Sequence, residues 1–136
     1  MEVQDWCNKN KMVINPTKTK SMLIGSRQKL QQIHNCLDVC IDDKQIQQET
    51  EHKLLGVTID HNLAWHSHVE VTCKTLARKL FLLSRLKGIV NTHAKLLFFN
   101  AHIKPHFDYV SNIWDCCSER LFARLNSLYR LSLIHI

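Results

Sequence analysis

Adjacent carboxylates Asp42-Asp43 follow the apolar pair Cys40-Ile41. Two-metal phosphoryl transfer needs carboxylates that converge so that two ions lie about 3.5–4 Å apart. Asp also favours turns, and this pair sits where a hairpin has to turn. No Tyr-X precedes it and no strand-borne Asp upstream completes a site, so the turn reading is preferred. The nine histidines include His61, His66 and His68 around Trp65, and His102 and His106 four residues apart. A His pair at one helical turn can hold zinc, but Pro105 falls between these two and no acidic third ligand accompanies them. Six cysteines (Cys7, Cys36, Cys40, Cys73, Cys116 and Cys117) contain no C-x-x-C pair. They read as reduced, small apolar residues, and no His-Cys couple stands out as a nucleophile. No metal site is expected.

Cations give a more directed signal. Lys74, Arg78 and Arg85 fall on one side of an expected helix, opposite its apolar stripe. Such a row can follow a phosphate backbone, each contact adding a salt-dependent increment of affinity. Taken alone, the pattern is better read as a solvated face. Charge distribution points the other way: residues 1–65 are balanced, whereas 66–136 hold 10 Lys/Arg against 4 Asp/Glu and so carry the whole net charge of +6. That asymmetry suggests a polyanionic partner for the second half. Phe107, Tyr109, Trp114 and Tyr129 suit base stacking or core packing equally well.

The elements that must position these residues divide into two kinds. The first half reads as short strands and turns after a helix end at residues 2–10. Met12-Val13-Ile14 stops at Asn15-Pro16, Met22-Leu23-Ile24 closes at Gly25, and Val39-Cys40-Ile41 turns through Asp42-Asp43 to Gln45-Ile46. Leu54 to Ile59 is apolar around Gly56. Between Arg27 and Asn35 lies a glutamine-rich short helix or loop. The second half is helical: Val69, Cys73, Leu76, Ala77, Leu80 and Leu83 recur at three- and four-residue steps over residues 66–87, ending at Gly88. A second helix is expected over 93–104, capped by Thr92 and broken near Pro105, and a third after Ser118 with Leu121, Leu125 and Leu128 inward. The fold class is therefore α+β, a small antiparallel strand-rich segment followed by a helical bundle. No run approaches the roughly 18 apolar residues of a membrane span, and the first residues lack the pattern of a signal peptide. A cytoplasmic or nuclear setting is the expectation.

Several blocks in order resemble the reverse transcriptases of jockey-like non-LTR retrotransposons. Trp6, followed by Ile14-Asn15 and Lys18-Thr19, is similar to the palm segment after the catalytic hairpin of that family. Ile41-Asp42-Asp43-Lys44-Gln45-Ile46 resembles its hairpin, with Asp43 where Gly is usual. Leu54-Leu55-Gly56-Val57-Thr58-Ile59-Asp60 is similar to its primer-grip block. Leu63-Ala64-Trp65 with His68 resembles the opening of the thumb. Ile103-Lys104-Pro105-His106-Phe107-Asp108-Tyr109 with Trp114 resembles a later thumb block.

The resemblance implies a palm end over 1–65, a thumb over 66–130 and an off-pattern tail over 131–136. It implies RNA-directed DNA synthesis by the parent polymerase, with Mg2+ for its catalysis and no cofactor held by this chain. Partners so implied are the RNA template–DNA primer duplex and the remaining palm and fingers; no membrane or small-molecule cofactor is implied. Lys18 would be an auxiliary catalytic cation near the incoming nucleotide, helping pyrophosphate leave. Gly56, Lys74, Arg78 and Arg85 would contact nucleic acid. Asn15, Thr19, Trp65, His68, Pro105, Asp108, Tyr109 and Trp114 would be structural. The family's upstream Asp and Tyr-X-Asp-Asp hairpin have no counterpart here, so the chain alone is expected to be inactive; a stand-alone nucleic-acid-binding or helical interaction module is the alternative.

Overall fold

The structure, a computed structural model, describes residues 2–33, 38–41, 44–109 and 111–136, the side chains of Glu2, Trp114 and Asp115 excepted. Asp42-Asp43 therefore lies outside the described residues. The architecture mixes helices with small sheets, and the chain divides into two compact units, Met1–Leu63 and Ala64–Ile136.

In the first unit, α1 (Glu2–Lys9) leads to an open segment in which Val13 is 94% exposed; Met12-Val13-Ile14 forms no strand. The next turn is built around Asn15. Its side-chain oxygen accepts from the Thr17 amide and hydroxyl at 3.0 and 2.7 Å, and its carbonyl accepts from the Thr19 hydroxyl at 2.9 Å. This is the Asx-type closure that makes Asn a turn former. β1 is only Lys20–Ser21, so Met22-Leu23-Ile24 lies outside it. α2 (Arg27–Gln32) starts at Ser26, whose side chain accepts from the Lys29 amide.

β2 (Cys40–Ile41) and β3 (Lys44–Gln45) pair antiparallel. β4 (Gln47–Gln48) instead pairs parallel with β1, which corrects the all-antiparallel expectation. The intervening chain, carrying α2 and the β2–β3 hairpin, is long enough for the crossover that parallel pairing needs. β5 (Glu51–Leu54) and β6 (Val57–Asp60) form the longest ladder, with Leu54 facing Val57 in register. Leu55 and Gly56 between them both have positive φ (49° and 88°), the conformation of a type I′ hairpin turn. Among the described residues of this unit, Ile46 and Val57 are the buried apolar ones, as two-stranded pieces offer little area to cover.

The second unit is organised by α3 (His66–Arg85). Val69, Cys73, Leu76, Leu80 and Leu83 lie on one stripe and pack with Phe99, Ile103, Leu121 and Leu125. Fully burying residues such as Leu76 or Ile103 contributes about 1.5–3 kcal/mol each. Trp65 precedes α3 in the left-handed region (φ 63°), which costs a bulky residue about 1–2 kcal/mol; its ring packs against the core and offsets that strain.

α4 (Thr92–Phe98) is capped by Asn91, whose side chain accepts from the Ala94 amide at 2.9 Å, so the cap lies one residue before Thr92. The expected break near Pro105 is also absent. A π-helical turn, Phe99–Ile103, runs into α5 (Lys104–Asp108), placing Pro105 in a first turn where no intrahelical N–H is required. A short α6 (Asn112–Cys116) follows. α7 (Glu119–Ile134) begins after Ser118, which makes no side-chain cap bond, and continues through the segment expected to be off-pattern. Ser132 is fully buried there and donates to the Tyr129 carbonyl, while Ile136 packs against the core.

Candidate nucleic-acid interface

At 100° per residue, Lys74, Arg78 and Arg85 span an arc of about 40° on α3, facing away from the buried stripe. All three are exposed. Their surroundings differ. Lys74 pairs with Glu70 one turn earlier at 2.8 Å, and that hydrogen bond, with the lysine charge and then Arg124 of α7, holds the Glu70 carboxyl below its ordinary range. Arg85 places its guanidinium 5.9 Å from the centre of the Phe81 ring. Arg78 has no ion pair among the described residues. The face thus carries Lys74 paired with Glu70, and Arg78 and Arg85 with no ion pair among the described residues.

Apolar side chains share this face. Phe81 is 63% exposed, and Val71 and Leu82 are also largely open. Leu82 falls off the three- and four-residue spacing of the stripe, whereas Phe81 follows Ala77 by four residues and both are exposed, so spacing alone does not mark it.

Lys18 and Gly56 belong to the first unit. Lys18 is exposed, and its amide donates to the Asn15 carbonyl at 3.1 Å within the Asn15 turn. The same turn holds Thr19, which gives Asn15 and Thr19 a local structural role. Gly56 occupies the tip of the β5–β6 hairpin rather than a strand interior. Its positive φ gives the residue a backbone reason to be glycine.

The motif residues of the second unit differ in their surroundings. His68 is buried at 7% exposure, and burial lowers its pKa. Asp108 pairs with Lys104 at 2.5 Å. Tyr109 ends α5 in an extended conformation that turns it outward; it is 53% exposed rather than packed in the core. Phe107 and Tyr129 meet edge to face at 5.2 Å. The Trp114 backbone is part of α6, and its side chain lies outside the described residues.

A contact that the sequence did not reveal explains the His102–His106 spacing. The Lys79 ammonium lies 2.8 Å from the His102 carbonyl and 2.6 Å from His106 Nε2, donating to both. His106 must therefore be neutral, with its proton on Nδ1. Burial, then the Lys79 charge, lowers its pKa. Among the described residues, no group of three His, Cys, Asp or Glu side chains is arranged to hold a metal ion.

In the first unit a cleft of about 310 Å³ joins Met22, Ile24, Leu54 and Ile59 to a charged end. There Glu49 accepts from His52 at 2.7 Å and faces Lys20 at 3.3 Å. The His52 hydrogen bond is the main cause of a lowered Glu49 pKa. The cluster neutralises itself and presents no directed chemistry. No helix in the described residues is long and apolar enough to cross a membrane. No protein-family model matches the chain, and neither a curated protein nor a solved structure is found to be similar to it.

Proposed function

We propose that this chain is the palm end and thumb of a non-LTR retrotransposon reverse transcriptase, lying against the RNA template–DNA primer duplex. The observation that carries the reading is the cationic row on α3, a straight exposed ridge roughly 16 Å from Lys74 to Arg85 at ~1.5 Å per residue. A groove-lining thumb needs such a ridge, since the phosphate backbone supplies most of the sequence-independent affinity. The ordered motif blocks from Trp6 to Trp114 support the same assignment.

The first unit fits the role of a palm end. Its strand pairs leave edges open, and Val13, Leu54, Leu55 and Trp6 expose apolar surface that a continuing sheet would cover. In this reading Lys18 approaches the incoming nucleotide and stabilises the charge on departing pyrophosphate. Among the described residues no group of carboxylates is arranged to hold a Mg2+ pair, and Asp42-Asp43 lies outside them. The nucleotidyl-transfer carboxylates belong elsewhere in the parent polymerase, and this chain alone has no polymerase activity.

The test is affinity for an RNA–DNA hybrid as a function of salt. Arg78 and Arg85 as two phosphate contacts predict a slope of log K against log salt of about −1.8 for a duplex. A slope near zero sinks the proposal and leaves α3 as the outer helix of an interaction module. Primer extension by the isolated chain would refute the inactive assignment.

A further inference from the structure

A cleft of about 230 Å³ lies between α3 and α7, directly beside the cationic row. Its apolar floor is Leu80, Leu128 and Leu131; Phe81 forms one wall, and Ala77, Ser84 and His135 complete the lining. Phe81 also forms the border with the row: on the helical wheel it stands between Ser84, on the cleft side, and Arg85 and Arg78. The Ser84 hydroxyl donates to the Phe81 carbonyl at 2.7 Å, which leaves its oxygen lone pairs turned to an acceptor role.

An aromatic ring this exposed contributes nothing to the core of the unit. Against a duplex backbone it also gains little, because paired bases hide their faces within the stack. An unpaired base offers a π-face, and base–aromatic stacking is worth about 1–3 kcal/mol per base. Arg85 already lies over the Phe81 ring, so a stacked base would meet an aromatic surface with a cation beside it. Phosphates on either side would find Arg78 and Arg85. Apolar cleft, exposed aromatic wall and adjacent guanidinium groups together define the chemistry of the occupant.

We propose that the α3–α7 cleft is a nucleobase slot that takes one unpaired base of a single-stranded nucleic acid, with Phe81 as its stacking wall and Arg78 and Arg85 holding the flanking phosphates. The proposal rests on the nucleic-acid reading of the same face. It adds a preference for unpaired strands that the duplex-contact role does not contain.

The experiment uses the full chain, its Phe81→Ala and Phe81→Trp variants, and three labelled probes of equal length: an oligothymidine single strand, an abasic strand and a blunt duplex. Affinities are read by fluorescence anisotropy across a salt series, with circular dichroism confirming that each variant is folded. The single strand is expected to bind the wild type more tightly than the abasic strand does. Phe81→Ala should weaken that binding about five- to 150-fold, the range of one lost stack, with an unchanged salt slope. Phe81→Trp should retain it. Equal binding of abasic and normal strands, or an indifferent Phe81→Ala, overturns the slot while a preserved salt slope leaves the duplex-contact reading intact. A flat salt response for every probe overturns both. An oligouridine probe run in parallel shows whether RNA and DNA strands share the slot.

Discussion

Glu70→Gln should make nucleic-acid binding tighter and more salt-sensitive, because it releases Lys74. In the native chain the Glu70 carboxylate sits 2.8 Å from the Lys74 ammonium, so Arg78 and Arg85 are the two cations of the row free to meet phosphates. Two contacts give a slope of about −1.8 on a duplex, and a third steepens it to about −2.7. Between 50 and 200 mM salt, affinity should then fall about 12-fold for the wild type and about 40-fold for the variant. Glu119→Gln is the matched control. It removes the same charge from the first turn of α7 without releasing Lys74. Anisotropy titrations of an RNA–DNA hybrid at four or more salt concentrations give the slopes directly. If Glu70→Gln and Glu119→Gln shift the line equally, with parallel slopes, net charge alone is at work and the pairing argument is refuted.

Three predictions concern the helical unit. Ile103 is fully buried on the π-helical turn, so Ile103→Ala should cost about 2–5 kcal/mol, read by urea denaturation; a loss under 1 kcal/mol would contradict the described core. Asn91→Ala should cost about 1 kcal/mol and Thr92→Ala clearly less, and the reverse order in thermal melts would return the α4 cap to Thr92. His68 and His106 both have folded pKa values below the ordinary histidine value, so the unfolded chain takes up protons first as pH falls. Stability is therefore full above about pH 6.5 and is lost progressively as pH falls below it toward the lowered folded values, and His106→Gln should flatten part of that loss. Stability that rises on acidification through this window would reverse the sign and rule out the neutral Lys79–His106 contact.

Periodicity made the helical unit the most legible part of the sequence. The α3 stripe could be read because 20 residues repeat one spacing several times. The same signal ran on in α7, where Leu121, Leu125, Leu128 and Ser132 keep three- and four-residue steps, yet the segment from Leu131 looked off-pattern when judged by resemblance. Pro105 misled for a different reason. The rule that proline ends a helix is local, whereas the π-helical turn before it re-phases the backbone and lets the helical path continue. Strands of two residues carry no alternation to detect, and the β1–β4 pairing is set by tertiary placement. At the candidate site, residue types marked Lys74, Arg78 and Arg85, but the neutralising Glu70 and the open Phe81 depend on rotamers and exposure. The i, i+4 spacing of Glu70 and Lys74 was the available clue.

The central claim is that the outer face of α3 lies on nucleic acid. Backbone amide shifts of the 15N-labelled chain, followed as a short RNA–DNA hybrid is added, locate the contact directly. The account predicts that the largest shifts fall on Lys74, Arg78, Phe81 and Arg85, fading as salt rises. Shifts concentrated on the buried stripe of α3 or spread over the first unit, with the outer face silent, would contradict it.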